Sequence, residues 1–245
     1  MEDNADVSAD TLEQLKSVST ATITSQLLRA HGMRTRAIAG VRPINPARCH
    51  FVGPAFTLRY VPRREDLAAG GSRALTTNPM HAAIEAIPAG SVFVLDMQGN
   101  RSCGALGDVL ISRLIARGAV GAVCDGGMRD VGPVGDMSLP VFSASHAAPP
   151  STNDFLIADF QRPIGCGGVL VLPGDIVVGD NDGVVVIPRY LAESVARGGL
   201  EQEGIEAWIK LKVQRGAPVP GLYPPNEKTK AEYRKWLADG QPEVR

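Results

Sequence analysis

The chain has 245 residues, with 25 basic and 26 acidic side chains and a formal net charge of −1. This balance lacks the basic excess that proteins use to bind nucleic acids or anionic membranes, so neither function class is expected. No apolar run approaches the roughly 20 residues that span a bilayer, and the acidic start at residues 1–6 has no feature of a signal peptide. These properties predict one large domain, or one domain with extensions, in a cytoplasmic protein.

Cysteine and lysine usage narrows the chemistry further. The four cysteines lie far apart without a Cys-x-x-Cys pair, which gives little support for a zinc site or a disulfide framework. All six lysines lie outside residues 17–209. The predicted core therefore has no amine that forms a Schiff base with a carbonyl substrate or with pyridoxal phosphate. If the chain acts on a carbonyl compound, a bound metal ion must accept the electrons.

The first part of the chain predicts a lead-in, a helix, a strand and a second helix. Residues 1–19 are polar and acidic, which favours a frayed lead-in or a first helix turn. Hydroxyl residues from Thr20 onward suit a helix N-terminus, and the pattern that follows predicts a short amphipathic helix ending near Gly32. Partial alternation over residues 51–61 predicts a strand, and residues 80–87 predict the second helix.

The middle of the chain predicts a strand–helix–strand unit. Residues 91–96 are a continuous apolar run, typical of a strand that is covered on both faces. Residues 107–117 carry an apolar stripe at helical spacing and are followed by Gly118, a typical helix C-cap. Residues 119–124 predict a second buried strand. The unit therefore predicts two parallel strands joined by a right-handed crossover.

The second half is rich in predicted short strands. Residues 179–183 predict the turn of a hairpin. Residues 189–211 predict a helix that is interrupted at Gly198 and Gly199, and the tail beyond Gly216 is expected to pack on a neighbouring subunit. The predicted strands of this half are residues 140–143, 168–172, 175–178 and 184–187.

Charged residues flank the predicted helix and strand. Asp108 begins the helix, and Arg129 and Asp130 follow the strand after 20 intervening residues. Because a strand–helix–strand unit returns the chain to its start, all three side chains are predicted to face one pocket. Free helix amides suit a substrate carboxylate, Arg129 suits an oxyanion, and Asp130 suits a hard cation such as Mg²⁺. The alternatives are an acid that only complements the helix dipole and a solvated loop pair.

Other polar residues are weaker candidates. His81 is the histidine to test as a proton shuttle, although a structural or loop role is the simpler interpretation for each histidine. Arg59, Arg73 and Arg101 are candidates for selecting a second substrate carboxylate, and a solvated surface role is the simpler interpretation for each.

Residues 104–131 run from Gly-Ala-Leu-Gly-Asp to Cys-Asp-Gly-Gly-Met-Arg-Asp-Val. This segment resembles the family of 4-hydroxy-4-methyl-2-oxoglutarate aldolases, which also contains the proteins called regulator of ribonuclease activity A. The resemblance covers residues 20–212 in broad terms and includes residues 52–57 and 179–188. Its most specific element is the spacing of Asp, 20 residues, then Arg-Asp, which is the form found in members with metal-dependent lyase activity.

The resemblance implies a role for each residue of this pattern. Arg129 would contact the keto or enolate oxygen, Asp130 would bind the metal directly, and Asp108 would bind it through water. A glutamate of a neighbouring subunit also approaches the metal in this family, and Glu203 and Glu206 are the candidates. The amides expected to hold the substrate carboxylate are those of Gly107, Asp108, Val109 and Leu110.

The resemblance also implies a fold and an assembly. We predict an α/β fold, a mixed-sheet α/β/β/α sandwich, in a homotrimer or homohexamer. Residues 1–19 would be the N-terminal lead-in, residues 20–200 the catalytic domain of this family, and residues 201–245 a C-terminal helix and tail that packs on a neighbouring subunit.

The predicted activity is that of a divalent-metal-dependent, class II pyruvate aldolase, with Mg²⁺ or Mn²⁺ as cofactor. It would cleave a 4-hydroxy-2-keto acid to pyruvate and a carbonyl product, and would also decarboxylate oxaloacetate. One alternative is a non-catalytic regulator that binds a ribonuclease. The other is an aldolase for a sugar-derived 2-keto-3-deoxy acid, which the sequence does not separate from the first activity.

Overall fold

The computed structural model describes residues 7–64, 66 and 79–241. The strands are β1 (Arg42–Pro43), β2 (Phe51–Pro62), β3 (Val92–Asp96), β4 (Gly121–Met128), β5 (Val141–His146), β6 (Phe155–Phe160), β7 (Ile164–Cys166), β8 (Val169–Val171), β9 (Ile176–Asp180) and β10 (Gly183–Ile187). The helices are α1 (Ala9–Leu15), α2 (Thr20–His31), α3 (Pro79–Ala86), α4 (Asp108–Ala116), α5 (Val131–Asp136), α6 (Ala192–Gln214) and α7 (Glu227–Ala238). Short 3₁₀ turns cover Pro46–Arg48, Ser151–Asn153 and Arg189–Leu191.

Strand β2 connects the two halves of the main sheet, whose order is β1-β5-β4-β3-β2-β9-β10. The first part of β2 pairs antiparallel with β9, while its central part pairs parallel with β3 and its last part antiparallel with β6. Strands β3, β4 and β5 run parallel, and β9 and β10 form the predicted hairpin. Strands β7 and β8 form a separate antiparallel pair. The sheet is mixed, as predicted.

Alternating side chains of the parallel strands separate two layers of the core. In β3, Phe93 and Leu95 pack with buried residues of α3, α4 and α5. Val92 and Val94, between them in sequence, pack instead against the other strands of the protein. Successive residues of a strand point to opposite faces, so one face of this part of the sheet is covered by helices and the other by strands.

The β9–β10 hairpin repeats this alternation. Val177 and Val186 pack into the core that lies between strands. Val178 and Ile187 pack with buried residues of α1, α2 and α6. The layers are therefore helices, strands, strands and helices. This confirms the predicted α/β fold and its sandwich arrangement.

The strand–helix–strand unit is confirmed, with small changes in its bounds. Helix α4 covers Asp108–Ala116, against the predicted residues 107–117, and β4 begins at Gly121, two residues after the predicted start. Strand β4 runs on to Met128, beyond the predicted end at residue 124, and all of its residues are buried. Asp125 accounts for the difference, because its buried carboxylate accepts backbone hydrogen bonds and so keeps a charged residue inside the sheet. Arg129 and Asp130 consequently follow the strand directly.

The predicted interruption of the long helix is wrong. Helix α6 runs through Gly198 and Gly199 without a break. It also continues across residues 200 and 201, the predicted boundary between the catalytic domain and the C-terminal segment. The two glycines serve close packing. A Cβ at Gly198 would lie 2.6 Å from Gln26 Oε1, and one at Gly199 would lie 2.6 Å from Val18 Cγ1. Glycine lowers local helix propensity, but here it allows α6 to approach the N-terminal helices.

Helices α1 and α7 both pack against α6. Within the predicted lead-in, α1 is a full helix capped by Ser8, and Leu15 is completely buried against α6. Helix α7 packs on the second half of α6, where Trp208, Tyr233 and Trp236 form an aromatic cluster. Among the described residues, no helix has the length and apolar character needed to cross a membrane.

Candidate active site

A cavity of about 350 Å³ lies at the N-terminus of α4. Strands β2 and β6 and helices α3 and α4 contribute to its walls, together with the loop before α4, the two residues that follow β4 and the loop after β5. The sequence analysis named six residues of this chain that would contact the substrate or bind the metal, either directly or through water. All six line this cavity. The lining residues are Tyr60, Met80, His81, Gly104, Ala105, Gly107, Asp108, Val109, Leu110, Arg129, Asp130, Pro150, Ser151, Thr152 and Ile157.

The segment before α4 runs beside the end of β4. Gly104 bridges Gly127 on one side and Pro150 on the other. The amide of Ala105 donates to the Gly127 carbonyl over 2.8 Å, and the Arg129 amide donates to the Leu106 carbonyl over 2.9 Å. These bonds fix the start of α4 relative to the residues that follow β4.

The buried carboxylate of Asp125 holds the backbone of neighbouring loops in place. Its carboxylate accepts hydrogen bonds from the amides of Met97 at 2.6 Å, Gly99 at 3.2 Å and Gly167 at 3.1 Å. Burial raises the pKa of the Asp125 carboxyl, and these amides offset part of that effect. Asp125 does not line the cavity, so it is a positioning residue that the sequence analysis did not identify.

Two glycines allow the acid–Arg–Asp group to assemble. A Cβ at Gly107 would collide with Asp130 Oδ2, and a Cβ at Gly104 would collide with Arg129 Cγ. Gly107 is also the N-cap of α4 and is extended, with φ −121° and ψ −173°. Any residue can adopt that backbone conformation, so a larger residue at this position would displace the Asp130 carboxylate and would not strain the backbone.

Asp108 and Asp130 approach each other through the helix N-terminus. The amide of Asp108 donates to Asp130 Oδ2 over 3.4 Å, and the amide of Val109 donates to Asp108 Oδ1 over 2.7 Å. Asp130 has φ 52° and ψ 38°, in the left-handed region, where Asp and Asn are the most tolerated residues after glycine. The backbone there turns sharply from β4 into α5 and leaves the Asp130 side chain exposed to solvent.

Arg129 is half-buried beside this pair. Its Nε is buried and has no hydrogen-bond partner among the described residues. The stem of the side chain packs on Gly104. An unpaired buried donor of a guanidinium is costly, which is typical of a site that is completed by a ligand or by water.

Tyr60 is a lining residue that the sequence analysis missed. Its ring is 1% exposed and packs edge-on against Phe155, with ring centroids 5.9 Å apart. Its hydroxyl is buried without a hydrogen-bond partner among the described residues. Burial raises the pKa of the Tyr60 phenol far above its ordinary value, and the neighbouring Ser151 hydroxyl offsets only part of this. Tyr60 is therefore a neutral hydroxyl at every physiological pH.

The weaker candidates are distributed differently. His81 lines the cavity at its solvent-exposed edge. Arg59 pairs with Asp159 at 2.6 Å instead of facing the cavity, and the Arg101 guanidinium lies beside Gly40. Arg73 lies outside the described residues.

Glu203 and Glu206 lie on α6, outside the candidate-site cavity. The Glu203 carboxylate accepts hydrogen bonds from the Ser19 amide at 3.1 Å and the Ser19 hydroxyl at 2.8 Å, at the start of α2. Burial raises the pKa of Glu203, but hydrogen bonds from Thr22 and Ser19 together lower it below its ordinary value. Glu206 accepts a hydrogen bond from Gln202. Ligation of a neighbouring subunit's metal by either glutamate stays a prediction.

The donor set at the cavity fits Mg²⁺ better than zinc. Across the part of the chain that the structure describes, no group of three or more His, Cys, Asp or Glu side chains converges on one point. Asp108 and Asp130 supply two carboxylates at the cavity. Magnesium commonly binds through one or two carboxylates and completes its shell with water and substrate oxygens, whereas zinc requires three or four protein ligands.

Comparison with known proteins gives the family. Residues 9–186 match the family model described as RraA-like, Aldolase/RraA. The chain belongs to the RraA-like family. The match includes α1, so the family region of this RraA-like protein begins before the predicted start at residue 20 and ends within β10.

Two curated relatives illustrate the range of the RraA-like sequences. A putative 4-hydroxy-4-methyl-2-oxoglutarate aldolase of Halalkalibacterium halodurans is 32% identical over 188 residues, covering 76% of this chain and 80% of the relative. Protein DlpA of Legionella pneumophila is 29% identical over 213 residues, or 87% of this chain. The match spans only 33% of the length of DlpA.

Solved structures agree with the RraA-like fold. Streptomyces coelicolor RraAS2, described as an unusual member of the RNase ES inhibitor RraA protein family, aligns with a TM-score of 0.76 at 28% identity. The alignment covers 84% of this chain and 98% of RraAS2. An uncharacterized protein from Pseudomonas syringae also aligns with a TM-score of 0.76, at 26% identity, over 88% of this chain and 98% of that protein.

Proposed function

We propose that this RraA-like protein is a divalent-metal-dependent pyruvate aldolase that cleaves a 4-hydroxy-2-keto acid and also decarboxylates oxaloacetate. The observation that carries the proposal is the presence of Asp108, Arg129 and Asp130 in the lining of one cavity at the N-terminus of α4. The putative aldolase among its relatives supports the same reaction class.

The chain's own residues would bind and orient the keto acid. The amides of residues 107–110 lie at the positive end of the α4 dipole and would hold the substrate carboxylate in place of the side-chain carboxylates that two of them now face. Arg129 would donate to the keto oxygen, where negative charge develops when the C3–C4 bond breaks. Its buried Nε has no partner among the described residues, which supports this role.

Asp130 would hold the cation directly and Asp108 through water, as their side chains at the cavity permit. A bound Mg²⁺ or Mn²⁺ supplies a Lewis acid that withdraws electron density from the keto oxygen. A glutamate of a neighbouring subunit, Glu203 or Glu206, would complete the site in a homotrimer or homohexamer.

The proposed reaction balances without an added oxidant. The C4 hydroxyl loses its proton to a base, the C3–C4 bond breaks, and its electrons pass to the keto oxygen to give a pyruvate enolate. Arg129 stabilises that enolate, and C3 then takes a proton from water. Asp108 and His81 are the described side chains of the cavity to test as the base. Oxaloacetate gives the same enolate by losing carbon dioxide.

A coupled pyruvate assay tests the proposal over a panel of 4-hydroxy-2-keto acids and oxaloacetate. We expect pyruvate release that stops with a chelator and returns on addition of Mg²⁺ or Mn²⁺. Absence of metal-dependent turnover on the whole panel would reject the aldolase assignment.

The second candidate function is regulation of a ribonuclease. It is favoured by the similarity to RraAS2, whose family is described as inhibiting RNase ES. A pure binding surface has no requirement for two carboxylates and a guanidinium in one cavity, so this function ranks second. A tight complex with a ribonuclease, combined with no turnover on the panel, would reverse the ranking.

A further inference from the structure

Two buried carboxylates lie on neighbouring strands behind the candidate site. Leu95 of β3 pairs with Cys124 of β4, so Asp96 and Asp125 are the next residues on these two parallel strands. Asp96 is 8% exposed and Asp125 is 4% exposed. Neither residue lines the candidate-site cavity, so the proposed reaction does not use them directly.

These two side chains, here called the carboxylate pair, connect two separate parts of the chain. They accept hydrogen bonds from backbone amides of the loop between β3 and α4 and from amides of the β7–β8 hairpin. The bonds of Asp96 measure 2.9 Å from the loop and 3.3 Å from the hairpin. The loop donors are the amides of Met97, Gln98 and Gly99, and the hairpin donors are the amides of Gly165 and Gly167.

The loop that the carboxylate pair holds, here called the β3–α4 loop (residues 97–107), leads directly to the candidate site. It lies against β4, because a Cβ at Gly126 would lie only 2.6 Å from the Asn100 carbonyl oxygen. Near its end, a Cβ at Gly104 would collide with Arg129 Cγ. The position of this loop therefore sets how closely the start of α4 approaches Arg129.

The carboxylate pair brings two like charges into the interior. Burial raises the pKa of the Asp125 carboxyl, and the charge of Asp96 raises it further, while the backbone amides offset part of the rise. Two like charges that share a buried site oppose folding unless other groups compensate for them. Stability alone does not account for the carboxylate pair, whereas the connection that it makes between the loop and the hairpin does.

We propose that Asp96 and Asp125 act together as positioning residues of the candidate site, because they tie the β3–α4 loop to the β7–β8 hairpin and so fix the start of α4 beside Arg129. Both act through the loop and not on the substrate. The kinetic part of this inference rests on the proposed aldolase function, and its structural part is independent of that function.

The test compares Asp96→Asn and Asp125→Asn with the wild-type protein, using the full chain. The substitution keeps the size of each side chain but replaces one acceptor oxygen with an NH₂ group, which cannot accept from a backbone amide. Asp175→Asn is the matched control. Asp175 is also buried and accepts two backbone amides, but these belong to Leu172 and Arg189 and not to the β3–α4 loop.

Three quantities are measured for each variant: the melting temperature, amide hydrogen–deuterium exchange by mass spectrometry, and kcat for oxaloacetate decarboxylation with Mg²⁺ present. The kinetic assay is run well below the melting temperature, so that every variant is folded. A merely structural role of the carboxylate pair would lower the melting temperature without changing kcat under these conditions.

In both variants of the carboxylate pair we expect faster exchange beyond the amides that lose their acceptor. It should extend to the amides of Ala105 and Arg129, which now donate to the carbonyls of Gly127 and Leu106. We expect kcat to fall roughly tenfold or more, because small displacements of a reacting group are costly. The control variant should keep the wild-type kcat and the wild-type exchange at these two amides.

Three results would overturn the inference. Faster exchange that is confined to residues 97–99 and 165–167 would show that the carboxylate pair stabilises only its own contacts. An unchanged kcat in both variants of an active wild-type protein rejects the positioning role, and so does an equal loss of kcat in Asp175→Asn. If the wild-type protein has no turnover at all, the aldolase proposal fails, and the exchange at Ala105 and Arg129 alone decides the positioning role.

Discussion

The amide of Asp108 donates a hydrogen bond to Asp130 Oδ2 over 3.4 Å, so an amide at the N-terminus of α4 already faces a carboxylate oxygen. A helix N-terminus attracts negative charge, and in the absence of substrate Asp130 provides it. In the proposed reaction a substrate carboxylate takes over these amides and Asp130 faces the cation. The two residues therefore link substrate binding to metal binding.

Removing the charge of Asp130 should separate its two roles. In Asp130→Asn the side-chain oxygen still accepts from the Asp108 amide, and asparagine tolerates the left-handed backbone at this position. We expect pyruvate release to fall roughly 100-fold or more, with little change in the free energy of unfolding. Steady-state kinetics and denaturant titration measure the two effects. Asp136→Asn, on the exposed end of α5, is the control that should retain activity.

Arg129→Ala should be similarly inactive, because no other described guanidinium lines the cavity. We expect kcat for pyruvate release to fall roughly 10²–10³-fold. Arg34→Ala, on an exposed arginine outside the cavity, should keep normal kinetics. Turnover of the Arg129 variant at the wild-type rate would exclude this guanidinium from enolate stabilisation.

Adding one methyl group at Gly107 should disturb the site without straining the backbone. A Cβ there would collide with Asp130 Oδ2, although φ −121° suits any residue. We expect Gly107→Ala to reduce pyruvate release at least about tenfold, because small displacements of a reacting group are expensive. Gly165→Ala is the control, since a Cβ at Gly165 meets no atom within 4 Å. Equal kinetics for the two variants would contradict the steric account.

Glu203 should contribute to stability in a pH-dependent way. Hydrogen bonds from Thr22 and Ser19 lower its pKa below the ordinary 4.5 despite partial burial. Its ionised form therefore stabilises the folded state fully above pH 4.5, and this contribution is lost as the pH falls through the lower folded-state pKa. We expect Glu203→Gln to unfold about 1 kcal/mol more easily than wild type at pH 7.

Denaturant unfolding at pH 7 and at successively lower pH values measures this effect. The difference between wild type and Glu203→Gln should shrink below pH 4.5, and Glu201→Gln, on an exposed residue of α6, should show no such difference. A difference that stays constant with pH would refute the stabilising role of the ionised Glu203 carboxylate. Pyruvate release by the same variants separately tests whether Glu203 also serves a neighbouring subunit's metal.

Gly199→Ala should destabilise the protein although alanine is the better helix former. The new Cβ would lie 2.6 Å from Val18 Cγ1, and overpacking of a core costs about 1–3 kcal/mol, against a gain in helix propensity of about 1 kcal/mol. We expect a lower melting temperature in a calorimetric scan. Gly132→Ala in α5, where a Cβ would meet no atom within 4 Å, should not lower it. A rise with Gly199→Ala would show that α6 is not tightly packed against Val18, in the turn between α1 and α2.

Local patterns were sufficient to predict the part of the fold that holds Asp108, Arg129 and Asp130. Both strands of that unit are buried apolar runs, and the helix between them has a regular stripe and a glycine stop, so each step depends on neighbours in sequence. The break at Gly198 and Gly199 was predicted wrongly because helix propensity depends only on the local sequence. Those two glycines instead make room for Gln26 and Val18, which are more than 170 positions away in the chain.

Tyr60 could not be assigned to the site from sequence for a related reason. Its position depends on pairing between β2 and β6, whose register shifts between Arg59 and Tyr60. That irregularity, together with the turn that brings Ser151 to the cavity, is not encoded in any short pattern. Asp125 was missed because a charged residue inside an apolar run suggests the end of a strand, while here hydrogen bonds from three backbone amides offset part of the cost of burying its carboxylate.

Strand β2 has a mechanical consequence for the whole molecule. Phe51–Pro62 shares its amides and carbonyls with the hairpin at one end and with β3 and β6 at the other, and Tyr60 is part of it. Neither half of the sheet can open without breaking backbone hydrogen bonds to β2. Amide hydrogens in the two halves of the sheet should therefore exchange with deuterium in a single cooperative event. The cavity, to which β2 contributes Tyr60, should be as rigid as the sheet itself.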